Sequence, residues 1–496
     1  MEKESKNNST PQKVVITGEG VASLALNASY LFAGRGLTII VRFIYAIILA
    51  RYLGPELYGY LNYGMSWYFA FFPIAALSLG VLLKREIGRN RKNSEKVVNQ
   101  TLALRLLATV IAAILCGVGG FFFETEPTIK RLLLLFSIAL VGRSLWLWIA
   151  AVFIAHEKND YPLKMNALFR PLEVVFGLIV LASGGGIFAV ASVHVASWWL
   201  QAMRGFYLIS RHITPIRLDW TWPVLFRYFV IGLPITIASI LNGWLANGPL
   251  VLYRYFVQTG NSLGQLSLAM QVFILLGHLL AVSFSASLPL VSRSVYREDG
   301  KDIYFADAML RFGIIFGAAA GIAGLGIGEW LVELFFGNEF HEAGSLLGFT
   351  LWLLIPGICD IVLWNVYMAR GQYVLPLIST ALGAIIFTAL FSWIVSIAGP
   401  AGAVISAGIG MSCSTLVLIV SFAKSDALNL RRILLHPFAV VFLVLGLYFT
   451  LHLLNISVWI SLPVCFTVFF TSIFIFGIIT PSERSALVGM IKKKVA

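Results

Sequence analysis

Long runs of apolar residues alternate with short polar connections along almost the whole chain. A helix needs about 20 apolar residues to cross the hydrocarbon core of a bilayer, which is about 30 Å thick. About fourteen runs reach this length, the first beginning near residue 31 and the last ending near residue 479. The pattern predicts an all-α polytopic membrane protein with about 14 transmembrane helices. The composition agrees, because 59% hydrophobic and 12% charged residues leave too little polar surface for a water-soluble domain.

Lysine and arginine are distributed unevenly over the connections. One set of alternate connections, with both termini, contains most of them, whereas the other set contains only Lys130, Arg131 and Arg254. We call the first side the basic face and the second the opposite face. Because positive charge is retained on the cytoplasmic side, the pattern predicts a multi-pass protein of the cell inner (cytoplasmic) membrane with cytoplasmic termini. The same bias accounts for the formal net charge of +13, so anionic membrane lipid is the expected partner and nucleic acid is not.

The two halves of the chain resemble each other in the same direction. Ala155 and Ala369 are 214 positions apart, as are Gly185 and Gly399, and each pair has matching neighbours. A six-helix unit repeats without inversion, which predicts two parallel-repeated six-helix lobes around a central cavity, with two extra C-terminal helices. The predicted division is an N-terminal tail at 1–28, lobes at 29–210 and 211–425, transmembrane helices 13 and 14 at 426–480, and a basic tail at 481–496.

Several arginines lie far inside predicted spans. Arg42 and Arg143 are each about 11 residues from a span end, which places them near the bilayer midplane. An arginine there costs at least about 2.5 kcal/mol, so it should face a wet cavity or a partner. Arg35 lies on the same helix face as Arg42. We predict a substrate-binding cluster of Arg35, Arg42, Arg143 and Arg170. Arg170 also admits a purely structural interpretation, since it can pair with Glu173 three residues later.

Other polar residues within the spans are candidates for ion coupling or for lining the cavity. Coupling to an H⁺ or Na⁺ gradient, or to the membrane potential, is predicted for Asp360, Glu173 and His278, and no other cofactor and no metal is expected. The cavity candidates are Gln271, Asn242 and Asn247. Each of these can instead bridge two helices by a hydrogen bond. Five arginines lie close enough to span ends to reach the head groups, so we assign them no function: Arg51, Arg105, Arg204, Arg227 and Arg311.

Two segments resemble a known family. They are Arg51-Tyr52-Leu53-Gly54-Pro55-Glu56-Leu57-Tyr58-Gly59 and Leu334-Phe335-Phe336-Gly337-Asn338-Glu339-Phe340. They are similar to the polysaccharide-transport (O-antigen flippase) family of the multidrug, oligosaccharidyl-lipid and polysaccharide exporter superfamily. The resemblance implies a flippase for cell-surface polysaccharide biosynthesis, which moves a polyprenyl-pyrophosphate-linked oligosaccharide to the outer leaflet by alternating access. It implies lipid-linked oligosaccharide and polysaccharide-assembly enzymes as partners, and we expect a monomer.

Two other functions are compatible with such a chain. A cation-coupled multidrug exporter would share the lobes, but it would need carboxylates where the first span offers Arg35 and Arg42. A membrane polymerase or ligase would need catalytic groups on a large outer loop. The chain contains no Ser-His-Asp, HExxH, P-loop or paired-Cys pattern, so we predict no enzyme activity and no catalytic residue.

Overall fold

The computed structural model describes the backbone of residues 18–257, 260–285, 301–426 and 431–478, and the side chains of 36–257, 260–280, 303–424, 431 and 433–478. The α-helices of this part, numbered in chain order, are α1 Gly18–Ala76, α2 Leu79–Arg89, α3 Ser94–Phe123, α4 Pro127–Ala155, α5 Asp160–Ala182, α6 Ile187–His212, α7 Trp222–Val257, α8 Gly260–Ser285, α9 Lys301–Phe336, α10 His341–Thr350, α11 Leu354–Ala369, α12 Val374–Asp426, α13 His436–Leu453 and α14 Val458–Ile475.

The predicted fold class is confirmed. Within the described residues, 11 helical stretches are long and apolar enough to cross a membrane. Two of them, which begin at Gly36 and Val374, each contain two spans joined at a kink. The 26-residue α6 is a further candidate, although it is not among the 11. The sum of 11, 2 and 1 gives the 14 spans expected from the apolar runs.

Glycines make the two kinks. Gly54 has φ 68° and ψ 173°, and Gly399 has φ 55° and ψ −134°; side chains other than hydrogen are strained in these regions. Each is followed by a proline, Pro55 and Pro400, whose missing N–H suits the first turn of a helix. A single glycine therefore joins spans 1 and 2, and another joins spans 11 and 12.

Arg105 and Arg311 do not extend to the head groups, and that prediction was wrong. Both are buried, at 3% and 1% exposure. Arg105 donates to the carbonyl oxygens of Ala76 at 2.6 Å and of Ser144 at 2.7 Å. Ala76 is the last residue of α1. Arg311 donates to Asp307 at 2.7 Å and to the Ile478 carbonyl beyond α14. In the low-dielectric interior, hydrogen bonds to carbonyl and carboxylate oxygens stabilise these buried side chains in place of solvation at the surface.

Helix ends agree with the proposed repeat, whose domain division stays a prediction. Ala155 ends α4 and Ala369 ends α11, so the matched positions occupy equivalent places. The connection between the halves is held by α3, because Gln100 Nε2 donates to Asp219 Oδ2 at 2.9 Å. Hydrogen bonds from Thr221 to this partly exposed carboxyl lower the pKa of Asp219. Helices α13 and α14 pack on α9.

Candidate functional site

An ion pair within α5 lies at the centre of the polar residues in the first half of the protein. Arg170 Nη1 is 2.5 Å from Glu173 Oε2, and the two side chains are 3% and 9% exposed. Arg170 Nη2 also donates to Ser197 Oγ at 3.0 Å and to Gln201 Oε1 at 2.7 Å. Arg170 is thus neutralised and almost fully hydrogen-bonded, as the structural interpretation of this pair requires.

Helix α6 presents its polar side chains as one stripe toward α5. The stripe consists of residues three or four positions apart: His194, Ser197, Trp198 and Gln201. His194 Nδ1 lies 2.6 Å from Glu173 Oε1, and Trp198 Nε1 donates to His194 Nε2 at 3.0 Å. These groups lower the mean hydropathy of α6. Polar groups inside a transmembrane helix are costly enough to be functional candidates by default.

Aromatic rings, rather than a carboxylate, hold Arg143 on α4. Its Nη1 donates to Tyr68 Oη at 2.8 Å, and its Cζ lies 4.2 Å from the ring centroid of Phe69, 5.0 Å from Phe72 and 5.5 Å from Trp198. Such contacts contribute about 0.5 to 2 kcal/mol each and leave the charge uncancelled. Arg143 is partly exposed, its Nε has no hydrogen-bond partner, and no carboxylate of the described residues lies within ion-pair distance. Its charge therefore remains available to a ligand.

Arg42 on α1 belongs to the same cluster. It is partly exposed, it lies within electrostatic range of Arg143, Arg170 and Glu173, and it forms no ion pair with any side chain in the described ranges. The side chain of Arg35 lies outside the described residues, so its part in substrate binding stays a prediction.

The cluster is cationic as a whole. Arg42, Arg143 and Arg170 contribute three positive charges and Glu173 one negative charge, which leaves +2 when His194 is neutral. Guanidinium groups recognise phosphate oxygens through paired N–H donors. This arrangement can bind a phosphate or pyrophosphate group and would repel an organic cation.

Asp360 on α11 lies in a separate polar group in the second half. Asn242 Nδ2 donates to Asp360 Oδ2 at 3.2 Å, and Ser414 Oγ lies 3.5 Å from Oδ1. In the side chains that the structure describes, no Lys, Arg or His is within ion-pair distance of this partly exposed carboxylate. Carboxylate, amide and hydroxyl oxygens are ligands that hard cations prefer.

The remaining polar candidates are Gln271, Asn247 and His278 on α7 and α8. Gln271 Oε1 accepts a short hydrogen bond from Tyr58 Oη, at the contact between α1 and α8. Asn247 Nδ2 donates to the Gly243 carbonyl of its own helix at 3.0 Å. His278 is exposed on α8. The structure does not bring these three together with Asp360, and their roles stay predictions.

Sequence reasoning missed His194 and Tyr68. His194 is 5% exposed and Tyr68 is fully buried, and they connect the Glu173 pair to Arg143. The spacing of the polar residues on α6 was a usable signal for His194. Tyr68 gave no such signal, because a tyrosine in an aromatic-rich span is indistinguishable from a packing residue.

The two halves also touch at the opposite face, where the backbones of α1 and α8 come close together. A Cβ added to Gly59 would lie 2.7 Å from Gly264 N, and one added to Gly264 would overlap the Pro55 carbonyl. Residues 51–59, the first of the two segments that resemble the family, thus form a contact between the halves.

Two arginines reinforce this contact, which we call the opposite-face seam. Arg51 of α1 donates to the carbonyls of Leu334 at 2.6 Å and Phe335 at 2.7 Å, in the last turn of α9. Arg254 of α7 pairs with Glu124 at 3.1 Å, and both are buried, at 7% and 6% exposure. Contacts between the two halves on this face thus involve residues 51–59, 124, 254, 264 and 334–335.

Comparison with known proteins agrees with this architecture. The fold is similar to that of the lipid II flippase MurJ in an inward closed conformation, with a TM-score of 0.67 and 16% sequence identity. The match covers 91% of this chain and 99% of that chain. It is similar to the eukaryotic MATE transporter AtDTX14 at a TM-score of 0.60, 14% identity, and coverage of 82% of this chain and 97% of that chain. At these identities the likeness concerns the fold.

Sequence comparisons identify the family. The chain is 22% identical over 368 residues to the capsular polysaccharide biosynthesis protein CapF of Staphylococcus aureus, covering 70% of this chain and 86% of that protein. The model of the family described as polysaccharide biosynthesis protein matches residues 24–295, which is more than half of the 496 residues. The predicted resemblance is confirmed, and the chain belongs to the polysaccharide biosynthesis protein family, whose fold is that of membrane transporters and flippases.

Proposed function

We propose that this protein moves a polyprenyl-pyrophosphate-linked oligosaccharide from the cytoplasmic to the outer leaflet. The observation that carries the proposal is the cluster of Arg42, Arg143 and Arg170 with one carboxylate, Glu173, at a depth where an unpaired arginine is costly. A pyrophosphate supplies the negative charge that Arg42 and Arg143 lack. The polyprenyl tail can stay in the bilayer while the head group passes between the lobes.

Alternating access of the two lobes is the proposed mechanism, with the basic face cytoplasmic. The contacts of the opposite-face seam support it, because they join the two halves on one face and would have to break for that face to open. With a negative cytoplasm, outward movement of an anion is downhill by about 2.3 kcal/mol per charge per 100 mV. Asp360 is our candidate for the group that couples the cycle to H⁺ or Na⁺, since its neighbours Asn242 and Ser414 offer oxygen atoms.

Export of organic cations is the alternative function. The similarity to AtDTX14 favours it at the level of the fold. The net charge of +2 in the arginine cluster opposes it, because a cation would be repelled there. The carboxylate of Asp360 is the feature of this chain that a cationic drug would use.

The proposal predicts that loss of either free arginine slows flipping about ten- to a hundredfold, the effect expected when a charge-assisted hydrogen bond of about 1.5 to 3 kcal/mol is lost. The full chain is reconstituted in vesicles with a polyprenyl-pyrophosphate oligosaccharide labelled on the sugar, and an impermeant quencher reports the leaflet. The variants are Arg42→Ala and Arg143→Ala, and the matched control is Arg204→Ala, an exposed arginine that stacks on Tyr207.

Equal flipping by wild type and all three variants would remove the arginine cluster as the substrate site. Uptake of a cationic dye without flipping would favour the exporter instead. In the same assay, Asp360→Asn should abolish the dependence on the H⁺ or Na⁺ gradient. Unchanged ion dependence in that variant would remove Asp360 from the mechanism.

A further inference from the structure

His194 is a buried titratable group that the proposed transport cycle leaves without a role. It lies on α6 at 5% exposure, between Glu173 of α5 and Tyr68 of α1. Its Nδ1 is 2.6 Å from Glu173 Oε1, and its Nε2 is 3.0 Å from Trp198 Nε1 and 3.5 Å from Tyr68 Oη. Both ring nitrogens are therefore engaged.

The partners assign the tautomer. An indole N–H can only donate, so Nε2 of His194 must be the acceptor from Trp198 and carries no proton. A carboxylate can only accept, so Nδ1 carries the proton and donates to Glu173. These hydrogen bonds thus require a neutral imidazole of His194, whose unprotonated Nε2 could take up a proton.

The surrounding charges decide what would fill that site. Arg42 of α1 and Arg170 of α5 act on His194 electrostatically, and so does Glu173. Arg143 of α4 is one hydrogen bond further away, through Tyr68. A proton on Nε2 would raise the charge of the cluster from +2 to +3, and an anion bound to the arginines would offset that repulsion.

Protonation would also change the hydrogen bonds. Nε2 would become a donor, so Trp198 Nε1 would lose its acceptor, while the Tyr68 oxygen could accept from the imidazolium. The Trp198 ring lies 4.0 Å from Arg170 Cζ and 5.5 Å from Arg143 Cζ. A shift of this indole would therefore alter the surroundings of both guanidinium groups.

We propose that a proton taken from water onto His194 Nε2 and a pyrophosphate group bound at Arg42 and Arg143 bind cooperatively, so that the anion carries a proton with it into the cycle. The proposal rests on the proposed function. By linkage, the effect is reciprocal: the anion increases protonation of His194, and low pH strengthens anion binding.

Nitrogen NMR of ¹⁵N-histidine-labelled protein in nanodiscs tests the tautomer and the proton on the wild type. Among the seven histidines, His194 should have an unprotonated Nε2 and a protonated Nδ1 at high pH, a tautomer that the acceptors beside Nδ1 of His156 and His341 also favour. Addition of inorganic pyrophosphate should increase the protonated fraction of His194 at a given pH. The signal is assigned by its loss in His194→Gln or, if that variant does not fold, by its change in Trp198→Phe.

Calorimetric titration with inorganic pyrophosphate tests the coupling. We expect wild type to bind on the order of tenfold more tightly at about pH 5.5 than at about pH 8. His194→Gln should lose this dependence, and His452→Gln, which changes an exposed histidine on α13, should keep it.

The outcomes are distinguishable. Pyrophosphate binding that is independent of pH in wild type, or a His194 signal that pyrophosphate does not change, would overturn the coupling and leave the flippase proposal standing. Absence of pyrophosphate binding by wild type at both pH values would overturn both.

Discussion

Residues of the same type take different roles in this protein according to what surrounds them. Arg170 is buried and bonded to Glu173, Ser197 and Gln201. Arg143 is partly exposed and has one hydrogen bond, to Tyr68, with its charge uncompensated. We therefore assign Arg170 a mainly structural role that positions the cluster, whereas the unpaired arginines are the ones that a ligand would neutralise.

Replacement of Glu173 tests this division at the residue scale. Glu173→Gln leaves Arg170 buried without its counter-charge, which should destabilise the protein by about 3 kcal/mol or more. Asp160→Asn on the same helix removes a more exposed pair, with Lys164 at 2.8 Å, and should cost about 0.5 kcal/mol. Thermal unfolding in detergent measures both. Equal losses of stability would show that the Arg170 pair is not the structural centre of the cluster.

The length and apolarity of the segments predict the helices of this protein, whereas small residues allow the close contact between α1 and α8. Predicted spans and observed helices correspond; the last span, expected to end near residue 479, is α14, which ends at Ile475. The contact between α1 and α8 could not be predicted in this way, since Gly59 and Gly264 look like ordinary membrane glycines until the two backbones are seen to touch.

Alanine substitutions on α8 test this contact at the scale of the element. Gly264→Ala would force a methyl group against the Pro55 carbonyl, and overpacking of this kind costs about 1 to 3 kcal/mol. Gly277→Ala on the same helix meets nothing within 4 Å and should be neutral or stabilising by about 0.5 to 1 kcal/mol. Thermal unfolding distinguishes them, and a neutral Gly264→Ala would contradict the close approach.

Closure of the opposite face is a property of the whole molecule. It joins α1 to α8 and α9, and α7 to the connection before α4, so the contacts cross from the first half of the chain to the second. The buried pair between Arg254 and Glu124 is the ionic contact of the seam, and losing one partner of a buried pair leaves the other charge uncompensated.

Glu124→Gln should therefore favour a state that is open on the opposite face. Spin labels at Thr125 and Ser345, both exposed and in different halves, should report a longer distance in this variant, with the open fraction raised at least about tenfold for a loss above 1.4 kcal/mol. Glu157→Gln removes an exposed pair with Arg91 on the basic face and serves as the control. Identical distance distributions in all three proteins would show that the pair does not hold the seam closed.

The amino-acid sequence by itself determined the membrane architecture, the family and the position of the arginines within apolar segments. Each follows from local quantities: transfer of an apolar segment to lipid is additive along the chain, and a charge inside such a segment is visible without knowledge of its neighbours. Only the tertiary structure decided that Arg170 is paired while Arg143 and Arg42 have no carboxylate partner among the described side chains, that Arg105 and Arg311 are buried, and that His194 joins the cluster. The reason is that neutralisation and hydrogen bonding depend on side chains from other helices, whose rotation and packing the periodicity of a single helix does not specify.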